Sequence, residues 1–273
     1  MVDLDNQNLE YNYKEFIKTI RPYKKLSQNF LINENIAKGM SNFAIDKNVI
    51  EIGPGFGIIT KELCKTASKV IAIEKDSRIF SILSSNLKCK NLELINKDFF
   101  DVEEDMLKGY DIIIANIPYS LSSKIIFWIS RNHMPALLCL QKEFVEHMLA
   151  APGTHNYSKL SVISSLHFKI TEVFDVPAGS FYPKPKVDSS VVLIKPIDNI
   201  ITENELNIIS LLMMHKKKKL RNALVDSSSQ LHKQKEELRL ISDLLEEKDK
   251  RIFKMTPEEI LNISKKIINL INY

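Results

Sequence analysis

A doubly wound α/β sheet followed by a small all-α domain is the fold that this 273-residue sequence predicts, on three observations. From Asn48 onward, short β-branched runs alternate with amphipathic stretches. Glycines cluster directly after the first run, in Glu51-Ile-Gly53-Pro-Gly55-Phe-Gly57, where the backbone can turn tightly and let a ligand approach. Beyond Lys195-Pro196-Ile197 the texture becomes helical throughout, with apolar residues at three- and four-residue spacing. The first two features are those of a Rossmann-like nucleotide-binding sheet, and the third sets a domain boundary near 197.

The elements follow in order. Residues 1–20 are polar and Asn-rich with little periodicity, and read as an N-terminal extension. Within a sheet domain over 21–197, Val49 to Ile52, Val70 to Ile73, Leu92 to Ile95, Ile112 to Ala115 and Leu137 to Leu140 are apolar runs of strand length. Ile58 to Lys65 and Ser77 to Leu87 are the helical stretches between the first three. Ile170 to Val176 and Val187 to Lys195 have no long helix between them, and Pro183 and Pro185 punctuate the connection, so an antiparallel closure of the sheet edge is expected. Over 198–273, helices are expected at Thr202 to Met214, Lys217 to Asp226, Lys233 to Leu245 and Pro257 to Ile271.

With 44% hydrophobic and 26% charged residues, the chain is composed like a globular protein and not a disordered one. A formal net charge of +4 argues only weakly for a polyanionic partner, so the placement of the charges matters more. Cys64, Cys89 and Cys139 are scattered and odd in number, which points to buried, unpaired thiols in a reducing compartment, with neither a disulfide framework nor a zinc site. No apolar run approaches the roughly 18 residues of a membrane span, and the acidic N-terminus does not resemble a secretory signal. A cytoplasmic protein with no membrane association is expected.

The glycine loop marks a nucleotide pocket, and its details say which kind. A dinucleotide fingerprint would need glycine where the chain has Ile58, and no phosphate-binding Lys-Ser/Thr pair follows. Glu74 ends the second strand, where a carboxylate can accept hydrogen bonds from both hydroxyls of a ribose. Asp98, just past the third strand, is placed to meet an adenine amino group, with Phe99 available to pack on the ring. Taken singly, each has an ordinary alternative: a tight turn at Gly53 and Gly55, a helix cap at Glu74, a turn residue at Asp98. Taken in order after successive strands, they sit at one sheet edge and describe an adenosine without phosphate, which means S-adenosylmethionine.

Asn116-Ile117-Pro118-Tyr119, after the fourth strand, suits methyl transfer to a planar amine. An exocyclic base nitrogen is a poor nucleophile because its lone pair is delocalised into the ring. The Asn116 side-chain oxygen and a main-chain carbonyl, that of Ile117, can accept its two hydrogens, Pro118 stiffens the turn, and Tyr119 can stack on the base. A cytosine-C5 enzyme would need a Pro-Cys nucleophile, and no cysteine here follows a proline. A DNA adenine methyltransferase, and a binding factor that keeps the fold without the chemistry, remain as alternatives.

These motifs make the chain closely similar to the rRNA adenine N6-dimethyltransferase family. The resemblance rests on Lys25-Leu-Ser-Gln-Asn-Phe-Leu31, the glycine loop, Ile73-Glu74, Lys97-Asp98, Asn116-Ile-Pro-Tyr-Ser-Leu-Ser-Ser123 and Gln141-Lys-Glu143. It continues through Tyr157-Ser-Lys-Leu-Ser-Val162, Phe181-Tyr-Pro-Lys-Pro-Lys-Val-Asp-Ser189 and Lys217-Lys-Lys-Leu-Arg-Asn-Ala-Leu224. It implies that Gln28, Asn29 and Leu31 join Gly53, Gly55, Glu74, Asp98, Phe99 and Asn116 around the cofactor, and that Phe181 faces Tyr119 across the target adenine. Within the family, Ser122-Ser123, the Ala151-Pro-Gly-Thr154 loop and the Lys217 to Leu224 segment resemble the housekeeping branch. That branch dimethylates two adjacent adenines in a hairpin loop near the 3′ end of small-subunit rRNA. Ser27, where that branch usually has glycine, resembles the resistance branch that modifies large-subunit rRNA.

For the RNA, Lys216, Lys217, Lys218, Lys219 and Arg221 form a dense basic run on the helical domain, and Lys184 and Lys186 lie beside Phe181. Arg21, Lys24 and Lys25 add cations before the cofactor loop. Closely spaced phosphates suit such a run, whereas a solvated helix face is its plainer meaning. The expected partner is small-subunit rRNA within a pre-ribosomal particle, met by a monomer.

Overall fold

The structure, a computed structural model, describes residues 28–271 together with 15 and 17. The expected N-terminal extension, apart from those two residues, and Arg21, Lys24, Lys25 and Ser27 lie outside the described residues. Two compact units are present: Met1–Lys142 with Ile170–Pro196, and Glu143–Lys169 with Ile197–Tyr273.

In chain order the first unit contains β1 (Phe30–Leu31), α1 (Glu34–Ser41), β2 (Asn48–Ile52), α2 (Ile58–Thr66), β3 (Lys69–Glu74), α3 (Ser77–Asn86) and β4 (Leu92–Asn96). β5 (Ile112–Asn116), α4 (Ser122–Asn132) and β6 (Ala136–Gln141) follow, then α5 (Lys142–Leu149) and α6 (Lys159–His167), which lead into the second unit. β7 (Phe168–Val176) and β9 (Ser189–Pro196) return to the sheet, while β8 (Phe181–Tyr182) pairs with β1 in a separate two-stranded ladder.

Seven strands form one sheet in the order β4-β3-β2-β5-β6-β9-β7. The first five are parallel, with Val49 opposite Val70 on one side and Ile112 on the other. Such strands are covered on both faces, which is why Val49, Ile50, Ile113 and Ile114 read as unbroken apolar runs and are fully buried. β9 runs antiparallel to β6, from Ala136 opposite Ile194 to Gln141 opposite Ser189, as the proline-punctuated connection predicts. The strand order reverses between β2 and β5, and a crevice opens there beyond the strand carboxyl ends. Gly57, at φ 73°, lets the chain leave β2 and enter α2 at once, while Asp76 caps α3 by accepting from the Arg78 N–H at 3.1 Å.

The second unit is helical: α5, α6, α7 (Glu203–Met214), α8 (Leu220–Asp226), α9 (Ser228–Leu231), α10 (Lys235–Asp243) and α11 (Pro257–Ile271). Thr202 and Glu205 form a reciprocal capping box that starts α7. Ile209, Leu220, Leu224, Met255 and Ile267 meet in its core.

Three expectations are corrected. The segment 143–169 groups with the helical unit, so the sheet domain is not continuous over 21–197. The fully buried Tyr157 explains this, since its hydroxyl donates to the Met255 carbonyl at 2.8 Å and Val162 and Leu166 join the same core. The cysteines are not all unpaired: Cys64 and Cys89 are joined as a disulfide, with Cα atoms 6.1 Å apart. Their separation in sequence hid this, because the turn after α3 folds back onto the end of α2, where the Asn91 amide donates to the Cys64 and Ala67 carbonyls. Finally, α8 begins at Leu220 and not at Lys217: Lys216 and Lys217 lie in a turn, and Lys219 pairs in a short antiparallel bridge with Arg251.

Candidate active site

A cavity of about 260 Å³ opens at the carboxyl ends of β2, β3 and β5. Gln28, Asn29 and Leu31, Gly53 and Gly55, Glu74, Asp98 and Phe99, and Asn116, Ile117, Pro118 and Tyr119 all line it. The structure therefore brings together every expected cofactor residue and the whole acceptor turn.

Glu74 is the best anchored of them. One carboxylate oxygen accepts from the Asp76 N–H at 2.8 Å and the other from the Gly55 N–H at 3.2 Å, so the side chain is fixed by backbone and does not cap α3, a task Asp76 performs. Burial raises its carboxyl to about 7, against the pull of those N–H donors. Asp98 follows the adjacent strand, β4, and accepts from the Phe100 N–H at 3.1 Å and from the Lys75 ammonium at 2.7 Å. Burial pushes this carboxyl up, but the Lys75 ion pair and the Phe100 N–H outweigh it and hold the group below its ordinary value. Each carboxylate oxygen retains lone pairs for a ligand donor.

The glycine loop provides the test of fit. Gly53, at φ 64°, lines the cavity and would carry a Cβ into open space, so the absent side chain leaves room for a ligand against the backbone. At Gly55, φ 56°, a Cβ would stand 2.9 Å from the Phe30 ring, so this glycine serves close packing of β1 over the loop. An apolar-walled cavity with a buried carboxylate at one strand end and a second at the next fits an uncharged ribose and an adenine.

At the acceptor turn, the Asn116 amide donates to the Asn29 carbonyl at 2.9 Å. That bond orients the amide and leaves its oxygen as an acceptor. The Pro118 carbonyl is engaged by the Leu121 N–H at 2.8 Å, whereas the Ile117 carbonyl takes no hydrogen bond among the described residues. The half-buried Tyr119 phenol bonds to the Ser189 hydroxyl at 3.0 Å, which fixes the ring at the head of β9. Cys139, fully buried beneath, has its thiol pushed by burial up to about 12, far from a nucleophilic thiolate.

Phe181 departs from expectation. It is 3% exposed, pairs with Leu31 through the short β1–β8 ladder and does not line the cavity. Strand alternation explains the difference: Phe181 points into the core and its neighbour Tyr182 points out. The basic run also differs from a uniform cationic face. Lys216 donates to the Tyr157 carbonyl, Lys218 pairs with Asp226, and Lys219 and Arg221 share Asp249 at 2.9 and 3.1 Å. Lys217, Lys184 and Lys186 are exposed.

Sequence reasoning missed Asp76, which holds Gln28 at 3.1 Å and Arg78 at 2.6 Å, and Lys75, the partner of Asp98. An Asp immediately before a helical stretch was a legible cap signal; nothing in the spacing revealed Lys75. It also missed Glu51, buried beside the loop with no hydrogen bond to either carboxylate oxygen among the described residues.

A parallel sheet reversing beside a glycine loop, with acids at the next two strand ends and Asn-Ile-Pro-Tyr at a fourth, defines an S-adenosylmethionine-dependent methyltransferase. The model of the ribosomal RNA adenine dimethylase family matches residues 21–269, and the chain belongs to that family. A Pyrococcus furiosus protein described as a probable ribosomal RNA small subunit methyltransferase A is 39% identical over 262 residues, 92% of this chain and 94% of that one. Among solved structures, a dimethyladenosine transferase from Plasmodium falciparum superposes with a TM-score of 0.72 at 30% identity, covering 89% of this chain and 97% of the other. The 23S rRNA methyltransferase ErmE, at TM-score 0.59 and 22% identity over 88% of this chain and all of its own, shares the fold. The chain is accordingly an rRNA adenine dimethyltransferase that uses S-adenosylmethionine. Among the described residues no helix is long and apolar enough to cross a membrane.

Proposed function

We propose that this enzyme dimethylates, at N6, two adjacent adenines in the 3′-terminal hairpin loop of small-subunit rRNA, acting as a cytoplasmic monomer on a pre-ribosomal particle during ribosome biogenesis. The small-subunit assignment draws on the description of the Pyrococcus furiosus relative and on the housekeeping-like segments of the sequence. The observation that carries the chemistry is the Asn116 amide, tied through its nitrogen to Asn29 so that its oxygen is presented as an acceptor.

S-adenosylmethionine supplies, when bound, an electrophilic methyl group. Glu74 would take the ribose hydroxyls, Asp98 the adenine amino group, and Phe99 would pack on that ring, while Gln28, Asn29, Leu31, Gly53 and Gly55 would hold the rest of the cofactor. For the target base, the Asn116 oxygen and the Ile117 carbonyl would accept hydrogen bonds from the two N6–H groups in the first transfer and from the one that remains in the second, which draws the lone pair out of the ring; each transfer forms one N–CH3 bond and releases one N6 proton. Pro118 keeps the two acceptors in fixed relation, and Tyr119 stacks on one face of the base. Phe181 remains in the core in this arrangement. A loop adenine is already partly unstacked, so drawing it into the site costs only a few kcal/mol. Lys184, Lys186, Lys217, Lys218, Lys219 and Arg221 would neutralise phosphates, with phosphate displacing Asp226 and Asp249, and Lys216 supports the turn that carries them.

Reaction with each purified, unmodified ribosomal subunit, followed by primer extension, tests the reading. A polymerase stop at two adjacent adenines near the 3′ end of small-subunit rRNA is expected. A stop in the large subunit alone would assign the chain to the resistance branch.

A further inference from the structure

One aromatic and cationic surface lies outside the cofactor site yet touches its wall. On α4, Lys124, Phe127, Trp128 and Arg131 fall at spacings of three and four, so they share a helix face. Phe127 is 57% exposed, and the Arg131 guanidinium lies 5.9 Å from its centroid. Lys124 sits 3.7 Å over the ring of Phe100, and Trp128 packs edge-on against Phe99 at 4.8 Å. Phe99 and Phe100 both line the cavity, and α4 begins directly after the lining residues Tyr119 to Leu121. The surface is therefore continuous with the catalytic turn. Phe127 stands about 8 Å along the helix axis from Ser122.

A single exposed phenylalanine is ordinary. Here, however, the ring is interleaved with Lys124 and Arg131, which among the described residues have no carboxylate partner at ion-pair distance, and cations alternating with open aromatic faces are what an unpaired nucleic-acid strand uses, stacking its bases and neutralising its phosphates. A base drawn into the cavity leaves its neighbours unstacked at the entrance. Beyond Phe100 the chain turns acidic, with Asp101, Glu103, Glu104 and Asp105 all exposed, which repels phosphate and confines the strand to the α4 side.

We propose that the outward face of α4, with Phe127 as stacking platform and Lys124 and Arg131 as phosphate contacts, binds unpaired nucleotides flanking the target adenine. This rests on the reading of the chain as an enzyme acting on a loop adenine of rRNA, but not on which subunit carries it.

The test uses the full chain and whichever purified, unmodified subunit the wild-type enzyme methylates. Phe127→Ala and Phe127→Leu should each raise the KM for the particle about 5- to 100-fold, the scale of one lost base stack. Phe127→Trp should restore it. Lys124→Gln with Arg131→Gln should lower the slope of log affinity against log salt by about 0.7 per contact. S-adenosylhomocysteine affinity by calorimetry and the thermal midpoint should stay fixed in the Phe127 variants, since Phe127 is exposed. An unchanged KM in Phe127→Ala, or full affinity in Phe127→Leu, would overturn the proposal. Methylation of the large subunit in place of the small would overturn the subunit assignment and leave this test intact.

Discussion

Glu74 and the lysines at 216–219 are both conspicuous in the sequence, and they meet opposite fates in the fold. Glu74 is 6% exposed, held by two backbone N–H groups in the wall of a cavity, and burial outweighs the pull of those donors on its ionisation. The lysines stand at a surface turn, where one is committed to the Tyr157 carbonyl and two are offset by Asp226 and Asp249. A buried group keeps its chemistry because few neighbours compete and the dielectric is low, whereas exposed charge is shared with whatever acid comes near and is screened by salt. Counting charges along a chain thus describes the cavity better than the surface.

The sharpest way to break the comparison is at the acceptor turn. Asn116→Ala should slow turnover at saturating substrates by roughly 10²–10³, the cost of losing one positioned polar group, with little change in folding. Tritiated methyl incorporation measures it, and activity within a few-fold of wild type would remove the amide oxygen from the chemistry.

Acidity sharpens it next. Burial holds Glu51 up to about 8 and Glu74 up to about 7, from an ordinary 4.5, so the folded protein retains protons that the unfolded chain releases. Their contribution to stability is complete below about 4.5 and declines as pH rises through 7 to 8. Thermal midpoints of the protein without cofactor should fall across that window. Ligand affinity runs the other way, because ribose hydroxyls need an ionised acceptor: affinity for S-adenosylhomocysteine should rise about tenfold per unit from pH 5.5 toward 7, then level. A flat profile would mean that Glu74 does not meet the ribose.

The smallest effects belong to the basic turn. Lys217, Lys218 and Lys219 changed together to Gln should reduce the salt slope of RNA binding by at most about 3, one increment per phosphate contact. Lys216→Gln should instead lower stability by about 1 kcal/mol through its lost bond to Tyr157 and leave the slope nearly unchanged. Fluorescence anisotropy over a salt series and thermal unfolding separate the two.

Much of the sheet was legible because strand and helix alternate with distinct periods, and because Gly53, Glu74, Asp98 and Asn116 each follow a strand end. What the sequence hid depended on long-range packing. Tyr157 joins the helical core through Met255, nearly a hundred residues away, and Cys89 reaches Cys64 only because the turn after α3 doubles back. Phe181 carried the right chemistry for stacking, but its two-residue strand turns it inward. Such placements are settled by tertiary contacts that no local pattern encodes.

The central claim is that cofactor recognition belongs to the carboxylate at the end of β3 and owes nothing to the basic turn. Calorimetric titration of S-adenosylhomocysteine into wild type, Glu74→Ala and the Lys217 to Lys219 triple-Gln variant tests it side by side. The account predicts a loss of about 1–3 kcal/mol in Glu74→Ala, the cost of unpaired buried donors, and an unchanged dissociation constant in the triple variant. Unaltered binding by Glu74→Ala, or weakened binding by the triple variant, would contradict it.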